Sequence, residues 1–215
     1  MKIINHILQD DDIKYIESPN FKKEFKPGNL QYLVMHFTGG TTLEGAVNTF
    51  LDDNSKVSAH IIIDRDGTIV QMVPFNYIAW HAGKSEWKGK KYLNNYSIGI
   101  EFVNAGKLKD VGNNIYKDEW WHKFEWKDIY IFTDSRKFKD ENGMRNYDVT
   151  FWQKFTNIQI ERGVEITKLL LNEYKIIDII GHSDISPGRK IDPGYAFPME
   201  IFKGWLLNGK IKRNI

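Results

Sequence analysis

The sequence predicts an α/β fold, a single domain with a central mixed β-sheet flanked by helices. Three observations lead there. Short apolar runs bounded by turn residues, such as Tyr32 to Phe37 and Ser97 to Val103, read as buried strands. Between them lie segments whose apolar residues recur at helical spacing. The 215 residues are enough for one well-buried core and short for two, and neither an internal repeat nor a linker divides them.

Taken in order, residues 1 to 30 are polar, with turns at Ser18-Pro19 and Pro27-Gly28, and read as an N-terminal arm packed on the domain. Tyr32 to Phe37 is the first core strand. Thr41-x-x-Glu44 has the form of a capping box, and Leu43, Ala46, Val47, Phe50 and Leu51 follow as one apolar stripe. Ala59 to Asp64 and Thr68 to Val73, joined through Asp66-Gly67, read as a hairpin. Ser97 to Val103 is a further strand. Glu161 to Tyr174 is helical, with Ile166, Leu169, Leu170 and Tyr174 on one face. Lys175 to Ile180 is the last strand, Pro198 to Leu207 a closing helix, and 208–215 a C-terminal tail.

Composition narrows the function. Thirty basic against 28 acidic residues leave a net charge of +2, too small to argue for nucleic acid or a membrane surface as partner. Cysteine is absent, which removes disulfides and thiolate metal ligands together. No run approaches the ~18 apolar residues of a membrane span. The N-terminus turns acidic at Asp10-Asp11-Asp12 before a signal-peptide core develops. The expectation is therefore a monomer that is cytoplasmic as encoded, with lysis or a specialised secretion route left open. Aromatic content is high, with 7 Trp, 10 Tyr and 13 Phe, and exposed rings of this kind can stack on sugar faces.

Chemistry concentrates in Gly181-His-Ser-Asp-Ile-Ser-Pro-Gly-Arg-Lys-Ile-Asp-Pro-Gly194, a Gly/Pro-rich loop after a strand. It sets an imidazole (His182), an ammonium (Lys190) and a carboxylate (Asp192) close together. Loops held by a rigid sheet often carry catalytic groups. A hydrolytic zinc needs three such ligands and an open position. The loop supplies two, and His36, near the end of the first strand, is the best candidate for the third. Spacing alone leaves that pairing open.

Four blocks change the weight of this reading. They are Leu33-Val-Met-His-Phe-Thr38, the stretch from Val57 to Pro74, Ala79-Trp-His-Ala-Gly83 with Ser97-Ile-Gly-Ile-Glu101, and the loop above. In this order they resemble the type 2 N-acetylmuramoyl-L-alanine amidases, zinc enzymes related to peptidoglycan-recognition proteins, and within them the muropeptide-recycling branch. The resemblance spans roughly Tyr32 to Phe197 and implies a zinc amidase domain over 31–207. It places one Zn2+ per chain on His36, His182 and Asp192. Glu101 becomes the proton shuttle, and Lys190 the stabiliser of the oxyanion.

The implied reaction cuts the amide between N-acetylmuramic acid and L-alanine in peptidoglycan or its muropeptide fragments. Glu101 lies on an otherwise apolar strand, where a carboxylate is poor structural filler. Trp80, His81 and Arg189 are candidate substrate contacts. His81 has a structural alternative, Arg189 an alternative in solvent, and His60 reads as a core group behind the site. Relatives of the phage lysozyme type carry Tyr where this chain has Ala59, so the mechanism here must run on Glu101 and Lys190.

The family pattern lapses at about 104–152, a variable insertion with Trp120-Trp121, Trp126, Tyr130 and a charged run from Arg136 to Arg145. Three readings stay open for it: surface packing, an aromatic wall of the substrate groove, and a protein contact. Two alternatives to the enzyme also stand. One is a non-catalytic peptidoglycan-binding module, against which the complete set of five residues speaks. The other is a zinc amidase acting on a different amide.

Overall fold

The protein is described from a computed structural model, which covers residues 1–134 and 148–204. In chain order the strands begin with β1 (Lys2–Ile4), β2 (Ile7–Gln9), β3 (Ile13–Tyr15), β4 (Phe21–Glu24) and β5 (Tyr32–Phe37), which precede helix α1 (Leu43–Leu51). Then come β6 (Ile61–Ile63), β7 (Ile69–Gln71), β8 (Tyr77–Ala79), β9 (Glu86–Trp87), β10 (Lys90–Lys91) and β11 (Ser97–Phe102). The next run is β12 (Lys107–Asp110), β13 (Ile115–Lys117), β14 (Lys123–Glu125), β15 (Ile129–Asp134) and β16 (Asp148–Gln153). Helix α2 (Asn157–Glu173), β17 (Asp178–Gly181) and the short α3 (His182–Ile185) follow, and residues 199–204 are helical.

The central sheet has the order β17-β5-β11-β6-β7-β3. Its first four strands run parallel, β7 pairs antiparallel with β6, and β3 pairs parallel with β7, so the sheet is mixed as expected. Because side chains alternate between faces, each strand commits odd and even positions to different layers. Leu33, Met35, Ile61, Ile63, Ile98, Ile100 and Phe102 face α2, where Ile166, Leu170 and Leu171 cover them. Burying each such side chain contributes roughly 1.5–3 kcal/mol. On the opposite face Tyr32 and Val34 pack with Ile180 and Ile185, while Ile62, Val70 and Met72 pack with Phe50 of α1. His36 and Glu101 belong by alternation to this second face, between its two apolar clusters.

Several local details depart from the sequence expectation. Thr42, not Thr41, caps α1, accepting the Gly45 N–H through its side chain. Leu51 ends exposed and leaves the apolar stripe, since the helix stops there. Helix α2 begins at Asn157 instead of near Glu161, because Thr156 and Gln159 form a reciprocal capping box. Lys175 to Ile177 stay outside the last strand, with the Ile177 N–H donating to the Gln31 carbonyl. The N-terminal segment is more ordered than an arm. β1 and β2 form a hairpin, β3 extends the central sheet, and β4 pairs with β8.

The insertion is itself a sheet, antiparallel, in the order β14-β13-β12-β16-β15. It has its own small core of Leu108, Tyr116, Phe124 and Ile129. Gln153 joins it to the central domain, accepting the Ala105 N–H at 2.7 Å while its own N–H donates to the Gly106 carbonyl at 3.0 Å. The charged run from Arg136 to Arg145 and the tail at 208–215 lie outside the described residues, as does the end of the closing helix. Among the described residues no helix is long and apolar enough to cross a membrane.

Gln159 ties α2 to the sheet. It has no solvent exposure, accepts the Thr156 N–H at 3.1 Å, and donates to the Ile63 and Val103 carbonyls at 3.3 and 3.0 Å. Gln159→Ala strands the Val103 carbonyl, while the Ile63 carbonyl keeps the Val103 N–H at 2.9 Å, and should cost about 2–3 kcal/mol in urea unfolding, whereas a loss under about 0.5 kcal/mol would contradict this role.

Candidate active site

Three neighbouring parallel strands end at one cavity. β5 carries His36 as its penultimate residue, β11 sets Glu101 opposite it in register, and β17 hands His182 to α3. Open α/β sheets bind ligands outside the carboxyl ends of such strands, where the connecting loops diverge. The loop after α3 brings Asp192 back to the same point, with the Ser183 N–H donating to the Asp192 carbonyl at 2.8 Å. The cavity encloses about 400 Å³, and its lining includes Trp80, His81, Glu101, His182, Arg189, Lys190 and Asp192.

His36 Nδ1, His182 Nδ1 and Asp192 Oδ2 stand at the corners of a triangle. The nitrogens are 3.0 Å apart, and each is 2.9 Å from the oxygen. All three residues are buried. Their hydrogens can be placed from their other partners, because a neutral imidazole has one N–H. His182 Nε2 lies 3.1 Å from the Ala82 carbonyl oxygen, which only accepts, and 3.4 Å from Arg189 Nη2, whose hydrogens go to closer acceptors, so Nε2 carries the hydrogen and Nδ1 the lone pair. His81 Nε2 likewise donates to the Ser97 carbonyl at 3.3 Å, which leaves His81 Nδ1 as an acceptor. Its donor is His36 Nε2 at 3.0 Å, so His36 too turns a bare Nδ1 toward the triangle. Burial, reinforced by the adjacent His182, pulls His36 down to about 4 and keeps that ring neutral.

Three electron-pair donors at this separation repel one another unless a cation stands among them. One proton relieves only part of that repulsion, whereas a metal ion serves all three. The donor set, two neutral imidazoles and a carboxylate beside an open cavity, fits a metal that accepts nitrogen and oxygen ligands.

A second layer holds this geometry. The His81 ring lies on the sheet over Gly99, where a Cβ would come within 2.4 Å of the ring. Only glycine lets the ring approach so closely. His60 grips the same residue: the Gly99 N–H donates to His60 Nδ1, and the His60 N–H donates to the Gly99 carbonyl, both at 3.1 Å. His60 Nε2 donates to the Tyr77 carbonyl at 2.9 Å, and burial brings this ring down to about 4, so it too stays neutral. Asn94 Oδ1 accepts the N–H groups of His81 and Ala82 at 3.1 and 2.7 Å.

The remaining predicted residues divide by what they touch. Glu101 Oε2 is shielded from solvent and has no hydrogen-bond partner among the described residues. Burial, with the charge of Asp192 added, pushes the Glu101 carboxyl well above its ordinary range against the pull of Lys190. Lys190 is exposed on the cavity wall. Arg189 spends Nη2 on the Ala82 and Lys84 carbonyls and on Ser186 Oγ, at 2.9, 2.8 and 2.6 Å, and so braces its own loop. Trp80 leaves its buried Nε1–H without a partner among the described residues. His81 lines the cavity, yet both its ring nitrogens are committed to protein atoms.

Gly99 and Asn94 escaped sequence reasoning, although a glycine inside an apolar strand is a signal of close approach. Lys107 and Glu119 also reach the cavity from the antiparallel sheet, and nothing in their local sequence marks them. Gly99→Ala should push the His81 ring off His36 and weaken metal binding roughly 10–100-fold, read by chelator competition. Unchanged affinity would mean that His81 does not hold His36.

Known proteins place this geometry in a family. The family model described as N-acetylmuramoyl-L-alanine amidase matches residues 26–195. The 1,6-anhydro-N-acetylmuramyl-L-alanine amidase AmpD of Haemophilus influenzae is 31% identical over 208 residues, covering 89% of this chain and 90% of that protein. AmpD of Escherichia coli is 32% identical over 171 residues, 78% of this chain and 68% of that one. Among solved structures, a selenomethionine AmpD derivative superposes with a TM-score of 0.64 at 25% identity, covering 96% of this chain and 99% of that chain. The E. coli amidase AmiD, in complex with the substrate anhydro-N-acetylmuramic acid-L-Ala-D-gamma-Glu-L-Lys, gives a TM-score of 0.60 at 26% identity, covering 86% of this chain and 60% of that chain. With the match extending over most of its length and through the cavity just described, the chain belongs to the N-acetylmuramoyl-L-alanine amidase family.

Proposed function

We propose that this protein is a zinc-dependent hydrolase that cuts the amide between N-acetylmuramic acid and the L-alanine of a muropeptide, with soluble 1,6-anhydromuropeptides as its substrates. The observation that carries the reading is the triangle of bare donors in the cavity that Glu101 also lines, its buried Oε2 without a partner among the described residues. His36, His182 and Asp192 would hold one zinc ion, which when bound would supply Lewis acidity to the substrate carbonyl and to a water near neutrality. Similarity over nearly the whole chain to AmpD, which is named a 1,6-anhydro-N-acetylmuramyl-L-alanine amidase, supports an anhydromuropeptide substrate.

Amide hydrolysis also needs a proton taken from the attacking water and one delivered to the leaving nitrogen. Glu101, which lines the cavity and has no hydrogen-bond partner at Oε2 among the described residues, can do both in turn through its carboxyl group. Its desolvated setting favours holding a proton, as the acid half of that cycle requires. Lys190 supplies a positive charge at the cavity for the oxyanion that develops at the carbonyl. Trp80 lines the same wall, where its indole can contact the substrate.

The reading is tested with a 1,6-anhydromuramoyl peptide and product identification by mass. A free peptide beginning with L-alanine and an intact anhydro sugar are expected, with one zinc per chain. A cut glycosidic bond or a cut within the peptide would contradict it. Glu101→Gln should keep the zinc and the fold while losing ~10²–10⁴-fold in turnover, and retention of more than about a tenth of the rate would remove the shuttle role. Lys190→Ala should lower kcat by ~10²–10³-fold with a smaller change in KM, and an effect confined to KM would move Lys190 to substrate binding.

A further inference from the structure

We infer that the turn between β13 and β14 is a saccharide platform, on which Trp120 and Trp121 stack sugar units that extend from the muramoyl residue in the cavity. The inference rests on the amidase reading and extends it, since it makes the glycan part of the substrate a second point of recognition.

Trp120 and Trp121 are 70% and 71% exposed, adjacent, and at the tip of a turn. Water disfavours two bare indoles, so such a pair marks a binding surface when the structure works to keep it out. Here it does. Asp118, itself buried, accepts the N–H groups of Trp120 and His122 on Oδ1, both at 2.9 Å, and meets His122 Nδ1 through Oδ2 at 2.7 Å. The Asp118 carbonyl accepts the Trp121 N–H at 3.3 Å. Trp121 has φ of +67°, a left-handed conformation that bulky residues rarely adopt and that glycine or asparagine would take with less strain. Lys117 Nζ stands 4.4 Å from the centre of the Trp121 ring and props it. The turn that exposes both rings is thus shaped by a buried carboxylate and a left-handed residue, and a cation packs on the Trp121 ring.

Position identifies the occupant. Glu119, between Asp118 and Trp120, lines the catalytic cavity together with Lys107, so the platform and the cavity share a wall. A muropeptide whose amide lies in the cavity must send its remaining sugar units outward. A pyranose offers apolar C–H faces to an indole and hydroxyls to flanking carboxylates and ammonium groups, here Glu119, Lys107 and Lys117. Two other occupants fit less well. The turn mixes acidic with basic groups, unlike the basic surface that anionic lipid selects. Two indoles at this exposure offer about 350 Å², against the ~800 Å² per partner of a stable protein interface.

The test compares wild type with Trp120→Ala/Trp121→Ala on two substrates: a muramoyl tripeptide with one sugar, and the same unit at the end of a tetrasaccharide. The variant should match wild type on the first and show a KM raised roughly 10–100-fold on the second. Titration calorimetry with the peptide-free tetrasaccharide reads the platform apart from turnover, with binding by wild type and none by the variant expected. No binding by wild type, or equal KM values for the two proteins on both substrates, would refute the platform and leave the amidase reading standing. Equal losses on both substrates would also refute it, by making the turn a support of the cavity. A concentration-dependent dimer in sedimentation that the variant abolishes, with saccharide binding absent, would assign the face to a second copy instead. Failure of wild type to cut the one-sugar substrate would count against the amidase reading, while calorimetry would still decide the platform.

Discussion

Three lone pairs held within 3.0 Å of one another organise this molecule. The arrangement is unfavourable by itself, suits a cation among the donors, and needs a scaffold that prevents them from turning away. The sheet is that scaffold. Parallel pairing of β5 with β11 and β17 fixes His36, Glu101 and His182 at strand ends. Hydrogen bonds from the far side of each ring then choose which nitrogen faces inward. For His182 the partner is the Ala82 carbonyl, and for His36 it is His81, backed in turn by the Ser97 carbonyl. The chain of command ends at Gly99, whose missing side chain makes room for His81 and whose backbone is clasped by His60.

Asp192 needs a different kind of support, because it sits on a loop. That loop is pinned from two directions. Arg189 ties it to the Ala82 and Lys84 carbonyls on one side. On the other it leans on the antiparallel sheet, where Gly194 meets the Trp152 ring and Tyr195 stacks on Phe132 with centroids 3.6 Å apart. The insertion therefore does more than decorate the surface. It backs the loop that carries the carboxylate, contributes Lys107 and Glu119 to the cavity, and extends a turn of tryptophans beyond it.

Apolar runs and turn residues made the core strands legible, since a buried strand leaves a contiguous apolar mark. The position of His36 at the end of one such strand, and of His182 just past another, was legible for the same reason. What brings them together across 146 positions is sheet order, which no local pattern encodes. Glu101 stood out because a carboxylate in an apolar strand is costly without a task. The insertion hid its strands because most are short and mix lysines with aromatics, so neither period dominates. The early start of α2 depended on a Thr156–Gln159 pair that reads as ordinary polar sequence. The roles of His81 and Arg189 were ambiguous until their partners could be seen, because a histidine or arginine beside a cleft can serve ligand or scaffold equally well.

Nitrogen-15 NMR of the zinc-loaded protein tests the central claim most directly, since the shifts and two-bond couplings of each imidazole reveal which nitrogen binds metal and which bears hydrogen. The account predicts that His36 and His182 ligate through Nδ1 and keep Nε2–H, with His81 and His60 neutral, protonated at Nε2 and free of metal. Ligation through Nε2 at either ring, or a metal-bound His81, would contradict it.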